Sequence, residues 1–93
     1  MDIKLYSTTY CSYCRAAKAL LEQRQLPFTE IDCSDDSVTR ERLVNETGRR
    51  TVPQIYLDGI PVGGFDELQR LDRSGDLARF VKGEARPTSI VVK

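Results

Sequence analysis

The chain has 93 residues, which is the length of one small domain. Lysine plus arginine total 14 and aspartate plus glutamate total 14, so the net charge is zero; this argues against nucleic acid or an anionic membrane as the main partner. The absence of histidine excludes Ser-His-Asp triads, Cys-His nucleophiles and zinc fingers with histidine ligands. The chemistry that remains belongs to thiols, carboxylates, hydroxyls, amines and the backbone.

The start of the chain predicts a strand rather than a leader peptide. Ile3 and Leu5 alternate with polar neighbours, which is typical of a half-buried strand over residues 2–6. No apolar run approaches the roughly 20 residues that a membrane span needs. We therefore expect a cytoplasmic protein, in which a close pair of cysteines is redox-active or metal-binding rather than a structural staple.

The rest of the chain predicts a β-α-β-α-β-β-α-α order. The predicted elements are a helix over 12–25, a strand over 28–32, a helix from about 34 to 47, strands over 54–57 and 60–62, and helices over 65–74 and 76–82. Asp58-Gly59 predicts a tight hairpin between the last two strands, and Pro61 places the second of them at a sheet edge. Because a βαβ unit is parallel and right-handed, we expect an α/β fold, a mixed four-stranded sheet with helices on both faces.

Apolar spacing predicts which helix faces are buried. The expected inward residues are Cys14, Ala17 and Leu21 of the first helix and Val38, Leu43 and Val44 of the second. Residues 1–83 are predicted to form the domain and residues 84–93 a tail. The apolar triplet Ile90-Val91-Val92 in that tail could pack on the sheet edge, pair with a neighbour or stay mobile.

A C-x-x-C motif, Cys11 to Cys14, stands where the first strand gives way to the first helix. Zinc would need further ligands, and Cys33 is the only other thiol in the chain, so a three-cysteine zinc site is the weaker alternative. A C-x-x-C beside a βαβ pattern is typical of a thioredoxin-like redox motif. The two intervening residues form the first helical turn, which brings the two sulfurs within disulfide reach.

The two cysteines of the motif are expected to play different roles. Cys11 caps the helix N-terminus, where free N–H groups and the helix dipole lower a thiol pKa from ~8.5 to about 3.5–7.5. Arg15 and Lys18 add positive charge nearby, whereas Cys14 lies on the buried face and should stay protonated. We therefore expect Cys11 to attack and Cys14 to resolve. Cys33 is interpreted as a small buried residue at a strand end, with a regulatory or intermolecular thiol as the alternative.

Three separated motifs resemble those of the dithiol glutaredoxins of class I type. They are Cys11-Ser12-Tyr13-Cys14, Thr51-Val52-Pro53-Gln54 and Gly63-Gly64-Phe65-Asp66, and the resemblance covers roughly residues 2 to 82. It implies a thioredoxin fold and glutathione-dependent reduction of glutathione–protein mixed disulfides and of protein disulfides. The implied partners are glutathione, glutathionylated or disulfide-bonded proteins and, indirectly, glutathione reductase, and the implied state is a monomer.

The resemblance also implies a pocket for glutathione. Val52 would pair its backbone with the central cysteine of the tripeptide in the manner of an added strand, and Pro53 would be cis. Gly64 and Phe65 would offer backbone N–H groups to the γ-glutamyl carboxylate at the start of a helix, and Asp66 would bind the ammonium. For Asp66 the alternative is an ordinary first-turn acid, and both roles can hold together.

The remaining implied ligands come from other parts of the chain. Thr51 belongs to the same motif as Val52, and Tyr13 would pack on the bound tripeptide. Arg40 would bind the glycine carboxylate with its planar guanidinium, unless it is one more solvated helix arginine. Arg49 and Arg50 are weaker candidates.

Two positions depart from the family pattern. Many members carry a lysine where this chain has Thr8, and most carry a proline where it has Ser12. A subset of members with this serine holds a 2Fe-2S cluster between two protomers, with thiolates from the first cysteines and two glutathiones. The alternative function is therefore a cluster-bridged dimer that acts as carrier or redox sensor, with Cys11 as a metal ligand. A third possibility, a glutathione-independent electron donor served by thioredoxin reductase, is disfavoured by Gly63-Gly64 and Asp66.

Overall fold

The structure is a computed structural model that describes residues 1–89. Its elements are β1 (Ile3–Ser7), α1 (Ser12–Gln23), β2 (Thr29–Asp32), α2 (Ser37–Thr47), β3 (Gln54–Leu57), β4 (Ile60–Gly63), α3 (Phe65–Ser74) and α4 (Asp76–Val81). The order is the predicted one, and every boundary lies within three residues of its predicted position. The predictions for Ile90-Val91-Val92 fall outside the described residues. Within 1–89, no helix has the length and apolar character to cross a membrane.

Capping residues account for the ends of α2. Asp36 is the N-cap, and its carboxylate accepts a hydrogen bond from the Thr39 N–H at 3.0 Å. Gly48 ends the helix in the left-handed conformation with φ +73°, and its N–H donates to the Val44 carbonyl at 2.8 Å. Glycine adopts this φ without a steric penalty, and the helix ends at residue 47 as predicted.

The four strands form one mixed sheet in the order β2-β1-β3-β4. β1 pairs in parallel with β2 and antiparallel with β3, and β3 pairs antiparallel with β4. Asp58 and Gly59 have φ of 51° and 80°, as a tight hairpin turn requires. Pro61 lies on the edge strand, as predicted. The carboxyl end of the central strand β1 therefore leads directly to Cys11.

One face of the sheet packs against α1, α3 and α4 and holds the main core. Its buried members are Ile3, Leu5, Ala17, Leu20, Leu21, Ile55, Leu57, Val62, Leu68 and Leu77. Cys14, Ala17 and Leu21 are buried as the spacing predicted. This face anchors the two helices whose N-termini build the site.

The opposite face packs against α2 through a smaller cluster. Leu43 of α2 is buried there with Tyr6, Tyr56 and Cys33. The prediction for Val38 is wrong, because its side chain is 77% exposed. Five helical residues advance about 140° beyond a full turn, so Val38 and Leu43 cannot share one face. Helices on both faces of a mixed four-stranded sheet complete the predicted architecture.

Candidate active site

Cys11 and Cys14 are joined by a disulfide across the first turn of α1, with Cα atoms 5.2 Å apart. Cys11 is the N-cap, in an extended conformation, and its Sγ accepts a hydrogen bond from the Cys14 N–H at 3.1 Å. Cys11 is partly exposed, whereas only 1% of Cys14 is accessible. The oxidisable pair thus has one sulfur that a substrate can reach and one that it cannot.

The loop between β1 and Cys11 is tied to the end of β2. The Thr9 N–H donates to the Ser34 hydroxyl at 2.8 Å, and the Ser34 N–H and hydroxyl donate to Asp32 at 2.9 and 2.6 Å. The Ser34 hydrogen bonds lower the pKa of Asp32, so this carboxylate stays ionised and holds the loop. Lys18 does not stand as a free charge near Cys11, because its Nζ lies 2.9 Å from the Glu30 carboxylate.

The Thr51-Val52-Pro53 segment forms the wall opposite the disulfide. The Val52–Pro53 bond is cis, as the resemblance implied, and the Val52 carbonyl oxygen lies 3.7 Å from the Cys11 sulfur. A Cβ built on Gly64 would lie 3.1 Å from the Pro53 carbonyl oxygen. A glycine at position 64 therefore allows the start of α3 to approach this segment closely.

A cleft of about 270 Å³ lies between Tyr13, this segment and the start of α3. Gly64, Phe65 and Asp66 line its far side. The Tyr13 ring is 63% exposed and lies 6.3 Å from the Phe65 ring, centroid to centroid. Asp66 is exposed, and its side chain forms no hydrogen bond or ion pair with the rest of residues 1–89. The cleft joins an aromatic wall, a strand-like backbone edge and an exposed carboxylate.

Arg49 and Glu67 also line the cleft and form an ion pair. The Glu67 carboxylate accepts hydrogen bonds from the Arg49 guanidinium and, at 3.3 Å, from the Gly64 N–H. Burial acts to raise the pKa of Glu67, but these hydrogen bonds outweigh it and leave the pKa below its usual value. The cleft therefore holds an ionised, paired glutamate beside its exposed aspartate.

Residues 3–62 of the chain match the sequence model of the family described as glutaredoxin. The chain belongs to the glutaredoxin family. It is 37% identical to glutaredoxin 3 of Escherichia coli (strain K12) over 81 aligned residues. The alignment covers 87% of this chain and 98% of that protein. Family membership together with the Cys11–Cys14 pair indicates a thiol–disulfide oxidoreductase.

Solved glutaredoxin structures share the thioredoxin fold described above. The crystal structure of a buckwheat glutaredoxin–glutathione complex superposes with a TM-score of 0.83 at 30% identity, covering 88% of this chain and 77% of that chain. The holo form of glutaredoxin C1 from Populus tremula x tremuloides superposes with a TM-score of 0.83 at 28% identity, covering 96% of this chain and 83% of that chain.

The three arginines considered as ligands for the glycine carboxylate do not all lie in the cleft of this glutaredoxin. Arg49 lines the cleft, although Arg40 was the stronger candidate for that ligand on sequence grounds. Arg40 and Arg50 instead line a neighbouring depression of about 490 Å³ with Ser37 and Asn45 on the α2 side. The contact of Arg40 with a glycine carboxylate stays a prediction.

Sequence reasoning overlooked Glu67. A glutamate three residues after a helix N-cap is the spacing at which a side chain reaches back to the N-cap N–H, and Gly64 and Glu67 have that spacing. Its pairing with Arg49 spans 18 positions of the chain, for which no local pattern exists.

The third cysteine lies outside the cleft. Cys33 is fully buried, and its Sγ donates to the Ser7 carbonyl at 3.2 Å. Burial raises the pKa of this thiol. The interpretation as a small buried residue is confirmed. Among residues 1–89, no group of three or more cysteines, histidines or acids is placed to hold a metal ion.

Proposed function

We propose that the chain reduces glutathione–protein mixed disulfides and protein disulfides at the expense of glutathione. The observation that carries the proposal is the cleft, which begins beside the reachable sulfur of Cys11 and ends at the exposed carboxylate of Asp66. A glutathione moiety has a sulfur at its centre and an ammonium and a carboxylate at its γ-glutamyl end. The buckwheat neighbour, described as a glutathione complex, supports the same ligand.

The binding mode follows from the groups that line the cleft. Val52 pairs its backbone with the central cysteine of glutathione, and the Tyr13 ring covers the tripeptide. The Asp66 carboxylate binds the ammonium. The Gly64 N–H already has Glu67 as its acceptor, so the γ-glutamyl carboxylate takes the next N–H groups, those of Phe65 and Asp66.

The first chemical step transfers glutathione to the protein. The Cys11 thiolate attacks the glutathione sulfur of a mixed disulfide, the Cys11–glutathione disulfide forms, and the substrate protein leaves as a thiolate. The Cys14 N–H, which donates to the Cys11 sulfur in the oxidised chain, stabilises the same sulfur as a thiolate.

The second step removes glutathione from Cys11. A glutathione thiolate attacks the glutathione sulfur of the adduct, which yields oxidised glutathione and the Cys11 thiolate. Alternatively the Cys14 thiol loses its proton, attacks the Cys11 sulfur and releases glutathione as a thiolate, which produces the Cys11–Cys14 disulfide. One glutathione thiolate then opens this disulfide at Cys11 and re-forms the adduct, and a second one releases oxidised glutathione and the Cys11 thiolate. Glutathione reductase then regenerates glutathione in the cytoplasm, where the monomer works.

Cysteine variants test the reaction. We expect Cys11→Ser to abolish turnover of a glutathione–peptide mixed disulfide. Cys14→Ser should keep that activity and lose the reduction of a protein disulfide, because only the second reaction needs two thiols. Activity that survives the loss of Cys11 would refute the proposal.

An Asp66→Asn variant tests the dependence on glutathione. Loss of the carboxylate should raise the KM for the mixed disulfide about tenfold, since a hydrogen bond to a charged group contributes roughly 1.5–3 kcal/mol. A KM unchanged from that of the wild type would remove Asp66 from the glutathione site.

The alternative function is a 2Fe-2S dimer in which Cys11 of each copy and two glutathiones supply the thiolates. It is supported by the partial exposure of Cys11 and by Ser12, which is exposed at the position where most members carry proline. The chemistry that a cluster supplies is electron and cluster transfer. Anaerobic reconstitution with iron, sulfide and glutathione tests it, and a colourless monomer would contradict it.

A further inference from the structure

An ion pair joins the two walls of the cleft. Arg49 precedes the Thr51-Val52-Pro53 wall by two residues, and Glu67 is the third residue of α3 on the opposite wall. The Arg49 guanidinium donates to the Glu67 Oε1. The two residues are 18 positions apart, so the contact connects separate elements rather than neighbours on one helix.

Backbone contacts hold both partners of this pair. The Glu67 carboxylate also accepts the Gly64 N–H at 3.3 Å, which folds its side chain back over the first turn of α3. The Arg49 N–H donates to the Thr47 hydroxyl oxygen at 3.0 Å, and that hydroxyl donates to the Leu43 carbonyl at 2.7 Å. Since Thr47 is only 5% exposed, Arg49 is anchored to the end of α2.

Gly63 provides the space in which the glutamate folds back. Its φ is +116°, and a Cβ built on it would lie 2.5–2.8 Å from three side-chain atoms of Glu67. The folded-back glutamate therefore depends on a residue without a side chain at position 63. The Glu67 side chain is 18% exposed and that of Arg49 is 43% exposed, so the pair is partly shielded from water.

We infer that the Arg49–Glu67 pair is a positioning device that sets the distance between the two cleft walls and neutralises the carboxylate next to the substrate's γ-glutamyl group. The inference rests on the proposed binding of glutathione. Neither side chain has to touch the reacting sulfurs, so the pair acts on substrate binding and leaves the attack by Cys11 unchanged.

The charges predict an asymmetry between the two partners. Removal of Arg49 leaves an unpaired, partly buried anion beside the helix N-terminus that receives the substrate carboxylate, and like charges repel at such short range. Removal of the Glu67 charge leaves an exposed arginine, which an anionic substrate tolerates. A second substitution that neutralises Glu67 should therefore restore much of the substrate binding that is lost when Arg49 is replaced.

The kinetics of mixed-disulfide reduction by three variants test this asymmetry between Arg49 and Glu67. Arg49→Met should raise the KM roughly tenfold, Glu67→Gln roughly threefold, and the double variant should return to about the threefold value, with kcat within a factor of about two throughout. Glutamine retains a side-chain oxygen for the Gly64 N–H, so Glu67→Gln isolates the charge.

Arg24→Met is the matched control. Arg24 also pairs with an acid of α3, through two hydrogen bonds of 2.8 and 2.9 Å to Asp72, but neither residue lines the cleft. We expect a lower melting temperature and a wild-type KM. A KM raised as much by Arg24→Met as by Arg49→Met would overturn the inference, because it would show general loosening of α3.

Two further outcomes separate the inference from the proposed function. A wild-type chain that does not turn over the mixed disulfide refutes the proposed function. If the wild type is active and Arg49→Met has the same KM, the inference alone is refuted. The same holds if the KM of the double variant is higher than that of Arg49→Met. Arg49→Lys keeps the charge and should fall between wild type and Arg49→Met, which keeps the test valid if methionine impairs folding.

Discussion

The environments of Cys11 and Cys33 give two identical thiols opposite chemistry. Cys11 stands at a helix N-terminus, where its sulfur receives the Cys14 N–H and is partly exposed. Cys33 is fully buried, and desolvation raises the pKa of its thiol above the ordinary value, although the positive charge of Arg40 acts in the opposite direction. In the reduced chain a helix N-terminus favours the thiolate form of Cys11, whereas burial disfavours it at Cys33.

Alkylation kinetics check this difference at the residue scale. In the reduced, native chain, iodoacetamide at pH 7 should modify Cys11 and leave Cys33 untouched until the protein is unfolded, because the buried thiol is neither ionised nor accessible. A Cys33→Ala variant serves as the control for peptide assignment by mass spectrometry. Labelling of Cys33 at the rate of Cys11 would contradict the interpretation of Cys33 as a buried, unreactive thiol.

At the element scale, α2 depends on tyrosines of the sheet rather than on an apolar stripe of its own. Tyr6 and Tyr56 pack edge to face with centroids 5.3 Å apart. The Arg42 guanidinium lies 5.4 Å from the centre of the Tyr6 ring and donates to its hydroxyl at 2.9 Å. The Tyr56 hydroxyl donates to Glu46 at 2.6 Å. These contacts link β1 and β3 to α2.

A Tyr56→Phe substitution should therefore destabilise the chain by about 1 kcal/mol, because it removes one hydrogen bond and keeps the ring contacts. Val38→Ala, also associated with α2, should change the free energy of unfolding by less than about 0.5 kcal/mol, since Val38 is exposed. Urea unfolding of both variants measures the difference. Equal losses would mean that the tyrosine hydroxyl does not hold α2.

At the scale of the whole molecule, carboxylates dominate the response to acid. Hydrogen bonds hold the pKa below the ordinary value for Glu30, Asp32, Asp36, Glu67, Asp72 and Asp76. A folded-state pKa below the unfolded one adds stability above the unfolded value, and this stability is lost as the pH falls. Burial raises the pKa of Cys33 and Tyr56, so their contribution is lost as the pH rises.

We expect the oxidised chain, in which Cys11 and Cys14 do not titrate, to have a stability plateau between about pH 5 and pH 8. The absence of histidine removes the side chain that ordinarily titrates inside this range. Stability should fall below about pH 4 and again above about pH 8.5. Thermal unfolding across this range measures the profile, and a step near pH 6.5 or a gain in acid would contradict it.

Most of the fold could be predicted because local signals mark its boundaries. Gly48 ends α2, and Asp58-Gly59 marks the hairpin, each through backbone geometry that does not depend on distant residues. The cysteine spacing likewise predicted the disulfide within one helical turn. The buried face of α2 was predicted less well, because Val38 and Leu43 lie about 140° apart around the helix and their spacing alone does not say which of the two faces the sheet.

The parts of the site that escaped prediction are those that depend on long-range contacts. Lys18 pairs with Glu30 of β2, and Arg49 pairs with Glu67, so both charges are compensated by residues distant in the chain. Arg40, which motif spacing favoured, lines the neighbouring depression instead of the cleft. Charged side chains are long and flexible, and the acid that each one meets depends on the packed fold.

The two outer strands of the sheet have consequences for how copies of the chain meet in solution. Pro61 on β4 has no N–H to offer, and the pairing of β4 with β3 shifts register between Ile55 and Tyr56. β2 is only four residues long and carries the anionic Glu30 and Asp32. Both edges therefore resist strand-to-strand aggregation. We therefore expect concentrated solutions of the chain to show no joining of copies edge to edge into a larger sheet.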